Sequence, residues 1–262
     1  MMHASSSGKP APSAHVDPAG DALLQTAAGG NAKLLAELRS RVAAGEPAPY
    51  AAGFLLFRGR RFAIDARAYI TDPQLSHLVN VVGSTGRALE RTLGRPLTLL
   101  EFGVGAGTLA ISVKLEHAAW TVFGLDVDAN ALALARQNAR NLGAAVTLLQ
   151  SDFLSAWPRA AAAPDIIFGD PPWGAAEDVY EAGRPAAYYR RMPARSAFPP
   201  GGSRCGIHDE LMAQVRARRW RSLLVLNYGV LPPAIVAASA ARLGECQIVR
   251  PRPNLRILVG RA

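Results

Sequence analysis

The chain has 262 residues, half of them hydrophobic, which is enough to bury one sizeable core. Its apolar runs are too short for a membrane span, it has no signal-peptide pattern, and its two cysteines lack metal-ligand spacing, which favours a cytoplasmic protein. The formal net charge is +9, and all but three of the 29 basic residues are arginines in an alanine-rich chain. This composition favours a diffuse basic surface over a nucleic-acid footprint.

The first third of the chain predicts small local elements. Residues 1–30, rich in small residues and proline, are expected to form a disordered tail. Residues 31–95 are expected to hold a short helix, an extended connector, a β-hairpin around residues 58–60, and a second helix that Asp72 caps.

Residues 96–262 predict a catalytic domain in which strands and helices alternate. Such alternation is typical of a mostly parallel sheet with helices on both faces, and the last two strands are close enough to form an antiparallel edge. The predicted elements are Leu97–Phe102, Thr108–Glu116, Trp120–Leu125, Ala129–Asn141, Val146–Gln150, Ile166–Gly169, Leu223–Asn227, Pro232–Ala241, Glu245–Val249 and Leu255–Val259.

The first strand of this domain runs into a glycine-rich turn. Gly103, Gly105 and Gly107 occupy alternate positions before the predicted helix. Glycine tolerates positive φ and lets a ligand approach the backbone, and the helix N-terminus beyond it offers free N–H groups. The turn therefore predicts a ligand site, although a tight strand–helix corner has the same pattern.

Acidic residues stand at the ends of the next two strands. After the second strand, either Asp126 or Asp128 suits ribose hydroxyls while the other caps the following helix, a pattern that fits NAD and a methyl donor equally well. After the third strand, Asp152 and Phe153 suit the amino edge and the face of an adenine. A helix cap followed by a core aromatic is the plain alternative.

The fourth strand ends in Asp170-Pro171-Pro172-Trp173. Two prolines fix the backbone and cannot extend the hydrogen-bond ladder. The Gly169 carbonyl and the Asp170 carboxylate are therefore expected to accept hydrogen bonds from a substrate N–H pair, and Trp173 can stack on a planar substrate. Nothing in an NAD-dependent dehydrogenase explains this motif, which favours the methyl donor.

Four stretches together resemble the class I S-adenosylmethionine-dependent methyltransferases: the glycine-rich turn, Asp126, Asp152 with Phe153, and Asp170 to Trp173. This resemblance implies a Rossmann-like fold and S-adenosylmethionine as cofactor. From about Arg39 onward the chain is most similar to the HemK/PrmC family, protein-(glutamine-N5) methyltransferases that act on release factors. The resemblance implies that the motif after the fourth strand, Asp170 to Trp173, grips the substrate in place of that family's Asn-Pro-Pro-Tyr. It implies these cofactor contacts: Glu101, Gly103, Gly105 and Gly107 for the methionine part, Asp126 for the ribose, and Asp152 and Phe153 for the adenine.

Two stretches depart from that family's pattern. Its Pro-Arg-Pro-(Glu/Asp)-Thr-Glu segment is here Thr71-Asp72-Pro73-Gln74-Leu75-Ser76, and its N-terminal helical domain is expected to be reduced to one short helix. Farther along, Tyr180, Tyr188 and Tyr189 are expected either to cover the substrate as a lid or to pack. His77 and His208 are expected to be surface or capping residues.

The sequence therefore predicts an N-methyltransferase whose acceptor is a small molecule or a peptide side chain. The negative charge of Asp170 favours an amine or guanidine over an amide, because it stabilises positive charge on the attacking nitrogen. Three alternatives stay open: an exocyclic amino group of an RNA or DNA base, supported by the arginines of residues 190–221, a release-factor glutamine, and a binding protein without catalysis. Asp170 argues against the last. No metal is expected, and the oligomeric state is left open.

Overall fold

Three short helices, α1 (Pro18–Ala28), α2 (Ala32–Ala43) and α3 (Ala48–Ala52), begin the computed structural model, which describes residues 17–158, 160–175, 177–178 and 186–261. The prediction of a disordered tail is wrong from Asp17 onward, and its first 16 residues lie outside the described part. Asp17 accepts a hydrogen bond from the Gly20 N–H at 2.6 Å and so caps α1.

The three helices pack around a small apolar cluster of their own. Leu24 is fully buried, and Leu38 and Ala51 lie against it. The composition of the first 30 residues hides α1, because alanine and glycine dominate and one leucine face is enough to dock a helix. The expected extended connector contains α3.

A β-hairpin and a long helix follow. Strands β1 (Phe54–Phe57) and β2 (Arg60–Ala63) are antiparallel and meet in a turn where Arg58 and Gly59 both have positive φ. Such a turn matches the right-handed twist of the strands, so the predicted hairpin is confirmed. Helix α4 (Ser76–Leu93) begins after a single 3₁₀ turn whose first N–H groups Asp72 caps, as predicted.

The remaining strands form one seven-stranded sheet in the order β5-β4-β3-β6-β7-β9-β8. The first five are parallel, and β9 pairs antiparallel with both β7 and β8. The predicted Rossmann-like sheet with an antiparallel C-terminal edge is therefore confirmed. The strands are β3 (Thr98–Phe102), β4 (Thr121–Asp126), β5 (Val146–Gln150), β6 (Ile166–Gly169), β7 (Leu223–Gly229), β8 (Glu245–Arg252) and β9 (Leu255–Arg261).

Helices cover both faces of this sheet. Alternate residues of one strand enter different cores: Leu99 of β3 belongs to the core under α4, α5 and α6, and Leu100 to the core under α9 and α10. The helices are α5 (Thr108–Glu116), α6 (Ala129–Asn141), α7 (Ala186–Tyr189), α8 (Ala194–Ala197), α9 (Gly206–Ala217) and α10 (Pro233–Ala240).

The sheet has a topological switch point beside β3. The chain adds β4 and β5 on one side of β3 and then returns to place β6 on the other side. A crevice opens where strand order reverses, at the carboxyl ends of the strands, and ligands bind there in open α/β sheets. No helix in the described part of the chain is both long enough and apolar enough to span a membrane.

Candidate active site

A cavity of about 1260 Å³ lies at this switch point. Of the residues that the sequence predicted to contact cofactor or substrate, all but Gly107 and Gly169 line it, and these residues come from the carboxyl ends of β3, β4, β5 and β6. The lining residues from the predicted set are Glu101, Gly103, Gly105, Asp126, Asp152, Phe153, Asp170, Pro171, Pro172 and Trp173.

The glycine loop stands on the end of β4. The N–H groups of Gly103 and Val104 both donate to the Leu125 carbonyl at 2.9 Å, and the Gly105 N–H donates to Asp126 Oδ2 at 2.8 Å. Gly103 and Gly105 have φ of 73° and 51°, and a Cβ on Gly105 would meet no atom within 4 Å. The backbone here is thus open to the cavity, as close approach of a ligand requires.

Gly107 has a packing role. Its φ is 82°, and a Cβ on it would lie 2.9 Å from Ile111 Cδ1 and 3.2 Å from the Ala135 Cβ. The residue therefore lets α5 and α6 approach each other, and its predicted contact with the cofactor finds no support in its position.

The two acidic residues at the end of β4 make different contacts. Asp128 caps α6 by accepting from the Asn130 N–H at 2.8 Å. Asp126 accepts from the Gly105 N–H through Oδ2 and from the Asp128 N–H through Oδ1, which fixes the carboxylate at the cavity wall. Burial raises its pKa, and the backbone N–H groups act against that rise.

Glu101 is the deepest acidic residue of the site. It is 2 % exposed, and its Oε2 accepts from the Ala110 N–H in the first turn of α5 at 2.6 Å. Burial raises the pKa of Glu101 well above its usual range, and the nearby carboxyl groups of Asp126 and Asp170 add to the rise. A cation in the cavity would offset both effects.

Asp152 and Phe153 form the rim after β5. Asp152 is exposed, and Phe153 is half-buried with its ring centroid 5.4 Å from that of Phe102. Phe153 has φ of 47°, a left-handed conformation that is uncommon for a non-glycine residue and is concentrated at functional sites. The ring therefore packs on the core edge and lines the cavity at the same time.

Asp170 is fixed by two side-chain donors. Its Oδ1 accepts from Asn227 Nδ2 at 2.7 Å and from Trp173 Nε1 at 3.1 Å. Burial raises the pKa of Asp170 to about 6, and these two donors act against that rise. Gly169 precedes it because a Cβ there would collide with the Phe102 carbonyl oxygen of the neighbouring strand.

Trp173 packs against Gly229, where any side chain would collide with the indole ring. Sequence reasoning missed both Asn227 and Gly229. The sequence did carry a signal for Asn227. Like Asp170, it is a polar residue at the carboxyl end of an apolar strand.

Among the described residues, the cavity is lined by more carboxylates than cations: six carboxyl side chains and two guanidinium groups, those of Arg67 and Arg195. A low-dielectric cleft lined by one sign of charge concentrates ligands of the opposite sign. The site therefore suits a positively charged ligand. The carboxyl side chains are those of Asp72, Glu101, Asp126, Asp128, Asp152 and Asp170.

The stretch after the motif is partly described. Tyr189 lines the cavity, is 7 % exposed and stacks on Tyr69 at 6.5 Å, and Tyr188 packs edge-on against Tyr189. Tyr180 lies outside the described residues. The expectation that His208 is a surface or capping residue is wrong, because it is fully buried.

Several of the arginines proposed as a nucleic-acid face have protein partners. Arg204 pairs with Asp178 at 2.6 Å and with Glu177 at 2.9 Å, and Arg218 donates to the Leu154 carbonyl at 2.8 Å. Among the described residues, no group of His, Cys, Asp and Glu side chains is arranged to hold a metal ion.

The strand order, the open glycine loop and the acidic cavity together define a class I S-adenosylmethionine-dependent methyltransferase. A family model described as "Methyltransferase small domain" matches residues 82–183. A release factor glutamine methyltransferase from Nitratidesulfovibrio vulgaris is 30% identical over 208 residues, which cover 78% of this chain and 67% of that protein. The chain belongs to the release factor glutamine methyltransferase (HemK/PrmC) family.

Other comparisons agree with this assignment. The release factor glutamine methyltransferase of Bordetella pertussis is 36% identical over 148 residues, 56% of this chain and 52% of that protein. The chain thus spans about half the length of several curated relatives that it matches. The crystal structure of a methyltransferase from Pyrococcus furiosus has the same fold, with a TM-score of 0.54 at 14% identity over 86% of this chain and 98% of that one.

Proposed function

We propose that the protein methylates a nitrogen atom in a protein side chain, with Asp170 as the residue that binds the acceptor nitrogen. The observation that carries this proposal is the position of the Asp170 carboxylate. Oδ1 is held by two donors, and none of the described residues donates a hydrogen bond to Oδ2. Oδ2 is therefore available to accept an N–H from a ligand.

S-Adenosylmethionine supplies an electrophilic methyl group on a sulfonium. The open backbone of Gly103 and Gly105 and the buried carboxyl of Glu101 suit its methionine part, where a positive charge would lower the raised pKa of Glu101. Asp126, pinned by two backbone N–H groups, suits the ribose hydroxyls, and Asp152 with Phe153 suits the adenine.

The chain's contribution to methyl transfer is the placement of the acceptor nitrogen. Oδ2 of Asp170 accepts one of its N–H groups, which directs the nitrogen lone pair at the methyl group. Pro171 and Pro172 keep that strand end free of ladder hydrogen bonds, and Trp173 offers an aromatic face. Holding two reactants in attack geometry provides much of the rate in such a displacement.

The charge of Asp170 distinguishes an amine or guanidine from an amide. A carboxylate stabilises positive charge that grows on the nitrogen, whereas a neutral asparagine, the usual residue of the family at this position, serves an amide equally well. With a pKa of about 6, Asp170 is ionised at neutral pH. This residue favours the basic acceptor.

A release-factor glutamine is the second candidate. Its support is the name of the relatives, which are release factor glutamine methyltransferases. A nucleic-acid base has less support, because Arg204 and Arg218 of the proposed basic face are engaged within the protein.

The test is methyl transfer from labelled S-adenosylmethionine to peptides that carry a single lysine, arginine or glutamine, with free amino acids, a release factor and RNA alongside. We expect label on the lysine or arginine peptide, and loss of label with Asp170→Ala. Asp21→Ala, which removes a surface carboxylate paired with Arg39 on α2, is the matched control and should keep full activity. Label on glutamine alone, retained in Asp170→Asn, would establish the second candidate.

A further inference from the structure

We infer that Asn227 is a positioning residue that acts through Asp170, and that the end of β7 forms a platform for the whole Asp-Pro-Pro-Trp loop. This inference rests on the proposed function of that loop. Asn227 is 3 % exposed and lies on β7, next to the strand that carries Asp170. The parallel register pairs Gly169 with Leu226, so Asp170 and Asn227 are neighbours across the strand ends, and their side chains are joined at 2.7 Å.

The orientation of the Asn227 amide is determined by its second hydrogen bond. Its Oδ1 accepts from the Gly229 N–H at 2.9 Å, so its NH₂ group must face Asp170. A flipped amide would set NH₂ against an N–H and a carbonyl oxygen against a carboxylate. The β7–β9 register shifts between Asn227 and Gly229, and this irregularity allows the side chain to reach the backbone two residues ahead.

Two further contacts hold the platform. His208 on α9 is fully buried, and burial lowers its pKa to about 4, so it is neutral at pH 7. Its Nε2 lies 2.8 Å from the Asn227 carbonyl oxygen, and because a carbonyl only accepts, Nε2 carries the proton. Gly229, on the far side, supports the Trp173 ring. Asp170 and Trp173, the two residues of the motif with functional side chains, therefore both contact residues 227–229.

As a result, the two carboxylate oxygens of Asp170 have different surroundings. Asn227 and Trp173 occupy Oδ1, which leaves Oδ2 of this cavity-lining side chain without a donor among the described residues. Of the other charged groups around this corner, Glu101 faces it from β3 and Asp72 from the turn before α4, and both are acidic. Arg67 and Arg195 line the same cavity but do not bond to Asp170 within the described part. Asn227 is thus a donor that opposes the acidic surroundings.

Two variants test this role. Asn227→Asp keeps the size of the side chain and the oxygen that accepts from Gly229, but it replaces the donor to Asp170 by a carboxylate. Asn227→Ala removes the donor without adding charge. We expect both to lower kcat about 10-fold or more while the KM for S-adenosylmethionine stays unchanged. We also expect the acid limb of the pH–rate profile to move to higher pH, by about one unit for Ala and further for Asp.

A readout that needs no acceptor separates this inference from the proposed function. The carboxyl ¹³C of Asp170 is titrated by NMR with S-adenosylhomocysteine bound, and its midpoint should rise in the order wild type, Asn227→Ala, Asn227→Asp. Asn138→Ala is the matched control, a buried asparagine whose three hydrogen bonds go to Ala63 and Ala106, and it should destabilise the fold without moving that midpoint. An unchanged midpoint in folded Asn227→Asp would overturn the inference even if turnover is present. A shifted midpoint without turnover on any acceptor would preserve it and count against the proposed function.

Discussion

Asp126 and Asp170 are the same residue type at equivalent places, the carboxyl ends of β4 and β6, yet they are held in opposite ways. Both oxygens of Asp126 accept from backbone N–H groups, one of them in the glycine loop. One oxygen of Asp170 accepts from two side chains, and none of the described residues donates to the other. The carboxylate of Asp126 is therefore fixed by the local backbone, whereas that of Asp170 depends on the side chains of Asn227 and Trp173.

The largest effect that this comparison predicts is on turnover. Asp170→Ala should lower kcat about 10²- to 10³-fold, because the charge beside the attacking nitrogen and the orientation of its N–H are both lost. The dissociation constant of S-adenosylhomocysteine should change little. Steady-state kinetics measures kcat and calorimetry measures the dissociation constant, both on the same preparation. Near-normal turnover would show that Asp170 has no catalytic role.

The corresponding change at β4 should appear in binding. Asp126→Ala should weaken binding of S-adenosylmethionine by about 1–3 kcal/mol, which is roughly 5- to 150-fold, for loss of charged hydrogen bonds. Calorimetry measures this in a variant whose circular dichroism matches the wild type. Unchanged affinity would show that the ribose is bound elsewhere.

Replacing each of the two aspartates by asparagine should change the free energy of unfolding in opposite directions. Asp170→Asn keeps an oxygen for both donors and places NH₂ at the free position. It should raise the free energy of unfolding at pH 7.5 by about 1–3 kcal/mol. Asp126→Asn also removes a carboxylate whose pKa burial raises, but it must set NH₂ against a backbone N–H in either orientation. We expect that loss to dominate and the free energy of unfolding to fall by about 1–3 kcal/mol.

The stabilising effect of Asp170→Asn should depend on pH. The pKa of Asp170 is raised to about 6 in the folded state, so the folded protein binds this proton more tightly than the unfolded chain does. Ionised Asp170 therefore costs stability above about pH 6, and the cost vanishes below about pH 4. Urea unfolding of wild type and Asp170→Asn at pH 4 and pH 7.5 measures this, and an equal difference at both pH values would contradict it.

The smallest effect is expected at Gly229. Gly229→Ala places a methyl group against the Trp173 ring at a residue whose φ is 50°, so it should displace the indole and lower kcat several-fold. Gly244→Ala is the matched control, since its added methyl would meet nothing within 4 Å. Intrinsic tryptophan fluorescence and kcat should both change in Gly229→Ala. Neither should change in Gly244→Ala.

The sequence predicted the half of the site that depends on local signals. The glycines, Asp126 and the Asp-Pro-Pro-Trp loop each follow an apolar strand within a few residues, so the pattern and the position coincide. The fold class followed from the same alternation of strands and helices. Asn227 and Gly229 were missed because their importance depends on contacts with residues more than 50 positions earlier.

Other errors have the same physical origin. His208 carries no sequence signal that its ring is buried under β7, because only the packing of α9 determines this. Helix α1 escaped detection because its burial depends on Leu38 and Ala51 from other helices. Periodicity reports the face an element buries, and it does not report which partner covers that face.

The position of β9 has a consequence for how the protein is made. Strand β9 (residues 255–261) lies between β7 and β8, so β7 has no neighbour on that side until β9 is in place. A nascent chain that has been synthesised only as far as residue 252 therefore carries an apolar strand with an open hydrogen-bonding edge, the kind of edge that pairs with other chains and aggregates. Because β7 also carries Asn227, whose register partner on β9 is Ile257, the strand that covers this exposed edge also lies beside the platform of the active site.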